Sequence, residues 1–158
     1  MRSIVVGVDG SPPSEKAVAA AVEMALLFRA HLTVVAAYAP PLIDPSGTAA
    51  FATSSDASSS LRQRYDELVR RKVDGARAAG VDAEGLVREG SATDVLLAVV
   101  DEKKADLLVV GSRGLSRTHR LLLGSVSMAV ASAAPCPVLL FRDTAPEGSR
   151  SASAATPT

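Results

Sequence analysis

The sequence predicts an α/β fold: a single open five-stranded parallel sheet with helices on both faces, Rossmann-like in arrangement. Two observations carry this. Short apolar runs of strand length alternate with longer segments of helical periodicity, giving the order β-α-β-α-β-α-β-α-β. Apolar residues make up 47% of the 158-residue chain while aromatics make up only 3% and Trp is absent, so the core must be built from Val, Leu, Ile and Ala. Such a core suits helices packed on a buried parallel sheet joined by right-handed crossovers.

The elements follow in order. Ile4 to Val8 is a β-branched run that ends at Asp9-Gly10-Ser11-Pro12-Pro13, where the prolines fit a loop and the first turn of a helix. Val18, Val22, Ala25 and Leu26 recur at helical spacing. His31 to Ala37 reads as a second strand. Pro40 to Ser60, rich in Pro, Ser, Thr, Gly and Ala, reads as a long surface loop. A second helix carries Leu61, Tyr65, Leu68, Val69, Val73 and Ala76 on one side and stops near Gly80. Val81 to Arg88 is more polar and is placed at a sheet edge. Ser91 followed by Asp94 resembles a capping box and opens a third helix. Leu107 to Val110 is the cleanest buried strand. A fourth helix begins at Ser125 and stops before Pro135, and Val138 to Phe141 makes the last strand. From Asp143 onward the chain is Ser, Ala, Thr, Pro and Gly with few apolar anchors, which predicts a disordered tail over 143–158 after one domain spanning 1–142.

Charge and cysteine usage exclude several function classes. Lys plus Arg total 17 and Asp plus Glu total 17, so no net field draws the whole protein to nucleic acid or an anionic membrane. The lone cysteine, Cys136, excludes an intramolecular disulfide and a cysteine-rich zinc site. The first residues run straight into an apolar strand without a signal-peptide layout, and no stretch approaches the roughly 18–20 apolar residues of a membrane span. A cytoplasmic location is the expectation.

In an open α/β sheet, ligands bind beyond the carboxyl ends of the strands, where strand order reverses. Two segments suit that place: Gly7-Val8-Asp9-Gly10-Ser11 after the first strand, and Gly111-Ser112-Arg113-Gly114 after the fourth, followed by Gly124-Ser125-Val126-Ser127 at the start of a helix. Glycines let backbone approach an anion and adopt positive φ, so successive N–H groups can point at phosphate oxygens. A helix starting at Ser125 adds unpaired N–H groups and the positive end of its dipole. The hydroxyls of Ser125 and Ser127 can donate to the same phosphates or help hold a divalent metal. Asp9 can accept from ribose hydroxyls or the base. The bland alternative is that Gly111 and Gly114 only make a turn and Gly124 only precedes a helix.

The pattern Gly111-x2-Gly114-x9-Gly124-Ser125 resembles the ATP-binding signature of the universal stress protein family. Its flanks agree at Ala105 to Ser112 and Leu121 to Ser127, and further likeness lies in Ile4 to Ser11 and in Pro135-Cys136-Pro137-Val138-Leu139. The likeness covers about Ser3 to Arg142. It implies the five-stranded, adenine nucleotide α-hydrolase-like sheet and a homodimer through the last strand. It also implies ATP as the ligand, with or without Mg²⁺, bound by Asp9 at the nucleoside and Ala37 near adenine. By the same resemblance Val110, Gly111, Arg113 and Gly114 line the ribose and phosphate side, and Gly124, Ser125, Val126 and Ser127 close it. The locally basic segment Ser116-Arg117-Thr118-His119-Arg120 departs most from the family pattern.

Other residues have plainer explanations. Arg117, His119 and Arg120 read as the solvated side of a short helix, although they could reach terminal phosphates, and Arg113 has the better claim because it lies inside the glycine loop. His31 reads as structural, Cys136 as a buried small apolar group, and Asp44 and Asp56 as solvated. No P-loop, dinucleotide fingerprint, nucleophile elbow or metal-spaced His pair occurs, and no general base can be named. The sequence therefore describes a nucleotide-binding stress or signalling protein in which occupancy shifts conformation or partner choice, and not a dedicated ATPase. Two alternatives stand beside it. One is a slow hydrolase or phosphotransferase, with autophosphorylation at Ser125 or a nearby hydroxyl. The other is a homodimeric interaction module holding another nucleotide such as cAMP.

Overall fold

The computed structural model describes residues 1–39, 54–112 and 124–142. Its elements are β1 (Ser3–Gly7), α1 (Pro12–Phe28), β2 (His31–Tyr38), α2 (Ser54–Ala78), β3 (Ala83–Glu89), α3 (Ala92–Glu102), β4 (Leu107–Gly111), α4 (Ser125–Ala133) and β5 (Val138–Phe141). All strands are parallel and the sheet order is β3-β2-β1-β4-β5. The expected class and alternation are observed, and the polar strand β3 lies at one edge with β5 at the other.

Strand alternation sorts the core into two layers. Ile4, Val6 and Val8 of the first strand segment face α1 and α2, together with Leu32, Val34, Leu107 and Val109. Val5, Val35, Leu108 and Val110 face the other way, onto Val95, Leu96, Val99, Val100 and Val130 of α3 and α4. Fully burying an aliphatic side chain contributes about 1.5–3 kcal/mol, and these central strands are covered on both sides. Their aliphatic runs thus specify the doubly wound arrangement.

Two expectations change. Leu26 was placed on the buried stripe of the first helix, but it is 44% exposed, as are its neighbours Leu27 and Phe28 to larger degrees. The buried face of α1 is instead made of Ala17, Val18, Ala21 and Ala25. Small residues at four-residue spacing let the helix axis approach the sheet, and Leu26 falls about 100° away from Ala25. Secondly, 54–60 belongs to α2 and not to the preceding loop. That stretch carries neither Pro nor Gly. The remainder of the expected loop, 40–53, and the expected tail, 143–158, lie outside the described residues.

Helix ends obey local chemistry. Ser91 caps α3 by accepting from the Asp94 N–H, as its spacing predicts, and Ser11 caps α1 in the same way by accepting from the Ser14 N–H. The N-cap of α4 is Gly124, with φ −64° and no side-chain cap.

Candidate functional site

The sheet order reverses between β1 and β4, because the chain crosses to β2 after β1 and returns to the other side with β4. Beyond the carboxyl ends of these strands lies a cavity of about 170 Å³, more than tenfold the ~15 Å³ that admits one water. Its lining brings together Asp9, Ala37, Val110, Gly111, Gly124, Ser125, Val126 and Ser127 from four separate parts of the chain. Arg113 and Gly114 fall outside the described residues, as do Arg117, His119 and Arg120.

The first wall grows from the turn after β1. Backbone pairing runs one residue past the strand, with the Val8 N–H donating to the Val35 carbonyl at 2.8 Å. The chain then turns at Gly10, whose φ of +81° only glycine adopts without cost. Oδ1 of Asp9 accepts from the backbone N–H of Ser11 at 2.9 Å and from its hydroxyl at 2.6 Å. The Asp9 N–H donates to Ser14 Oγ at 3.2 Å. Asp9 is therefore locked by a local turn, and its Oδ2 accepts no hydrogen bond among the described residues. It is also the one ionisable group in the cavity lining among those residues.

The second wall is built from the end of β4 and the start of α4. Ser112 N–H donates to the Phe141 carbonyl at 2.6 Å, and Gly124 N–H donates to the Ser112 carbonyl at 2.8 Å. The hydroxyl of Ser127, itself 3% exposed, donates to the Gly111 carbonyl at 2.9 Å. These bonds join the two halves of the glycine pattern across the intervening segment. Because Gly124 supplies no side-chain cap, the first N–H groups of α4 lack the partner that Ser11 and Ser91 give α1 and α3. Ser125, Val126 and Ser127 all line the cavity.

Two mechanistic expectations are corrected. The Ser127 hydroxyl, expected to donate to a phosphate or help hold a divalent metal, donates its proton to the Gly111 carbonyl, leaving the Ser127 backbone N–H as its donor. Positive φ was expected of the signature glycines, yet Gly124 has φ −64° and Gly111 is absent from the positive-φ glycines, which among the described residues are Gly10, Gly80 and Gly90. Gly111 is required for a different reason. A Cβ there would sit 2.8 Å from the Ser14 nitrogen and 2.9 Å from the Pro13 carbonyl carbon, so the residue lets the start of α1 pack directly on the end of β4.

Gly7 and Val8, within the first segment singled out, also line the cavity, and sequence reasoning missed Ser14, Val35, Ala92 and Leu96, which complete the lining. Val35 was discoverable as the residue two before Ala37 on the same strand face. Ala92 and Leu96 share one face of α3, immediately after the Ser91 cap. His31, read as structural, bonds through Nδ1 to Asp82 at 2.9 Å on the neighbouring edge. Cys136, expected to be buried, is only partly so, and desolvation pushes its thiol above its ordinary value.

Comparison with known proteins gives these features a family. The model of the universal stress protein family matches residues 1–142. The chain belongs to the universal stress protein family. A universal stress protein of Thermus aquaticus is 34% identical over 142 residues, covering 89% of this chain and 98% of that one. Universal stress protein UspA from Lactobacillus plantarum superposes with a TM-score of 0.77 at 22% identity, covering 89% of this chain and 97% of that one. A universal stress protein solved in complex with cAMP is 34% identical, with a TM-score of 0.67 over 89% of this chain and 96% of its own. The universal stress protein fold is thus shared from β1 to β5. No described helix is long and apolar enough to cross a membrane.

Proposed function

We propose that this universal stress protein binds an adenine nucleotide, ATP, in the cavity between β1 and β4, and that occupancy shifts its conformation or choice of partner. The observation that carries the reading is the uncapped start of α4 facing the same cavity as Asp9. Unpaired N–H groups at a positive helix end suit phosphate oxygens, and the open Oδ2 of Asp9 suits a donor such as a ribose hydroxyl. Val35, Ala37 and Leu96 offer an apolar surface for the base. Among the described residues there is no cluster of three His, Cys, Asp or Glu that could hold a metal.

A second reading, cAMP as the ligand, draws support from the 34%-identical relative in complex with that nucleotide. Titrating nucleotide-free protein with ATP, AMP and cAMP by calorimetry separates the two. ATP binding tightest supports the first reading; cAMP binding tightest replaces it with the second. Steady ADP release that disappears in Gly124→Arg would move the protein into the hydrolase class instead.

The same proposal includes a homodimer through β5. That strand pairs only with β4 among the described strands, and Val138, Leu139, Leu140 and Phe141 are all half-buried. Light scattering on the full chain at micromolar concentration is expected to give the mass of two copies, and a monomer would overturn it.

A further inference from the structure

We infer that Ser14 is a ligand-binding residue whose hydroxyl donates to the phosphate nearest the ribose. The inference rests on the nucleotide-binding reading above and assigns one donor within it. Ser14 lines the cavity although it is only 3% exposed. A serine hydroxyl carries one donor and two acceptor positions. Its Oγ accepts from the Asp9 N–H, so that contact uses an acceptor position. The hydroxyl proton has no acceptor among the described residues, and a buried donor left unpaired is costly.

The surroundings select the acceptor. α1 opens with Pro12 and Pro13, which have no N–H, so its first turn lacks two of the backbone donors that a helix start normally offers. The Ser14 N–H donates to Ser11 Oγ and the Glu15 N–H to the Ser11 carbonyl. On this wall the Ser14 hydroxyl is the donor that remains. The Ser14 backbone nitrogen lies 2.8 Å from where a Cβ on Gly111 would sit, so Ser14 packs against Gly111, whose carbonyl accepts from Ser127 at the start of α4. An oxygen placed there is approached by the Ser14 hydroxyl from α1 and by the N–H groups of α4. Donors from both walls fit an anionic oxygen, whereas a ribose hydroxyl also needs an acceptor, which Asp9 supplies. The division of labour is therefore Asp9 for the sugar and Ser14 for the first phosphate, common to AMP, ATP and cAMP.

The test compares AMP with adenosine on wild-type protein and Ser14→Ala. Loss of the Asp9 N–H contact lowers affinity for both ligands alike, and a hydrogen bond to a charged group predicts that the variant loses roughly tenfold or more in AMP affinity beyond its loss for adenosine; residual adenosine binding also reports an intact fold. Equal loss for both ligands would overturn the inference, because Ser14 would then act only by holding the Asp9 turn. Unchanged AMP affinity would overturn it too. Wild-type protein that binds neither ligand would instead sink the nucleotide-binding reading itself.

Discussion

Ser127 Oγ donates a 2.9 Å hydrogen bond to the Gly111 carbonyl, tying the start of α4 to the end of β4 across the signature. The bond is part-buried and joins the two elements that form one wall of the cavity. It explains why a hydroxyl residue stands at the third position of α4 without assigning it to a phosphate.

Ser127→Ala should therefore act on structure first. Losing this part-buried hydrogen bond costs about 0.5–1.5 kcal/mol. Denaturant unfolding should show a loss of that size, and nucleotide affinity should fall because the α4 N–H groups are no longer fixed. A variant as stable as wild type would show that the bond contributes nothing.

Two glycine substitutions should move stability in opposite directions. Gly111→Ala puts a methyl 2.8 Å from backbone of α1, contact that must be relieved by separating helix and strand, and overpacking of this kind costs about 1–3 kcal/mol. Gly75→Ala lies inside α2 with nothing within 4 Å of its added Cβ, so replacing a helical glycine should gain about 0.5–1 kcal/mol. Paired melting curves check both signs.

The pH dependence has a defined contributor at the start of β1. The backbone N–H groups of Arg2 and Ser3 donate to the Asp106 carboxylate and hold its pKa below the ordinary 3.8. A carboxylate depressed in the folded state contributes stability that is present above its unfolded pKa and lost as pH falls through the folded one. Asp106→Asn should thus be less stable than wild type near neutral pH, with the difference shrinking as the pH drops below 3.8. Thermal melts of both proteins from neutral to acid would check the convergence, and a constant difference would contradict it.

The legible parts of this chain were those set by local rules. Ser91 and Asp94 announced α3, and the aliphatic runs around Val5, Val34 and Val109 announced strands covered on both faces. Gly111, Gly124 and Asp9 were recognisable as one site because the sheet order of such folds brings those strand ends together. What escaped depended on contacts distant in sequence. Nothing local distinguishes Leu26 from a core leucine until the alanines of α1 are seen against the sheet. The reason for Gly111 is the proximity of Pro13 and Ser14, nearly a hundred residues away in sequence. Ser14 enters the cavity lining only because the start of α1 packs against the end of β4.

The central claim is that the uncapped start of α4 binds nucleotide phosphate, and the most direct measurement is a calorimetric ATP titration of nucleotide-free wild type beside Gly124→Arg. Saturable binding to wild type and none to the variant is the expected outcome, because the long cationic side chain would fill the space before Ser125. Wild-type protein that shows no heat with ATP, AMP or cAMP, or a Gly124→Arg protein that binds as wild type does, would contradict it.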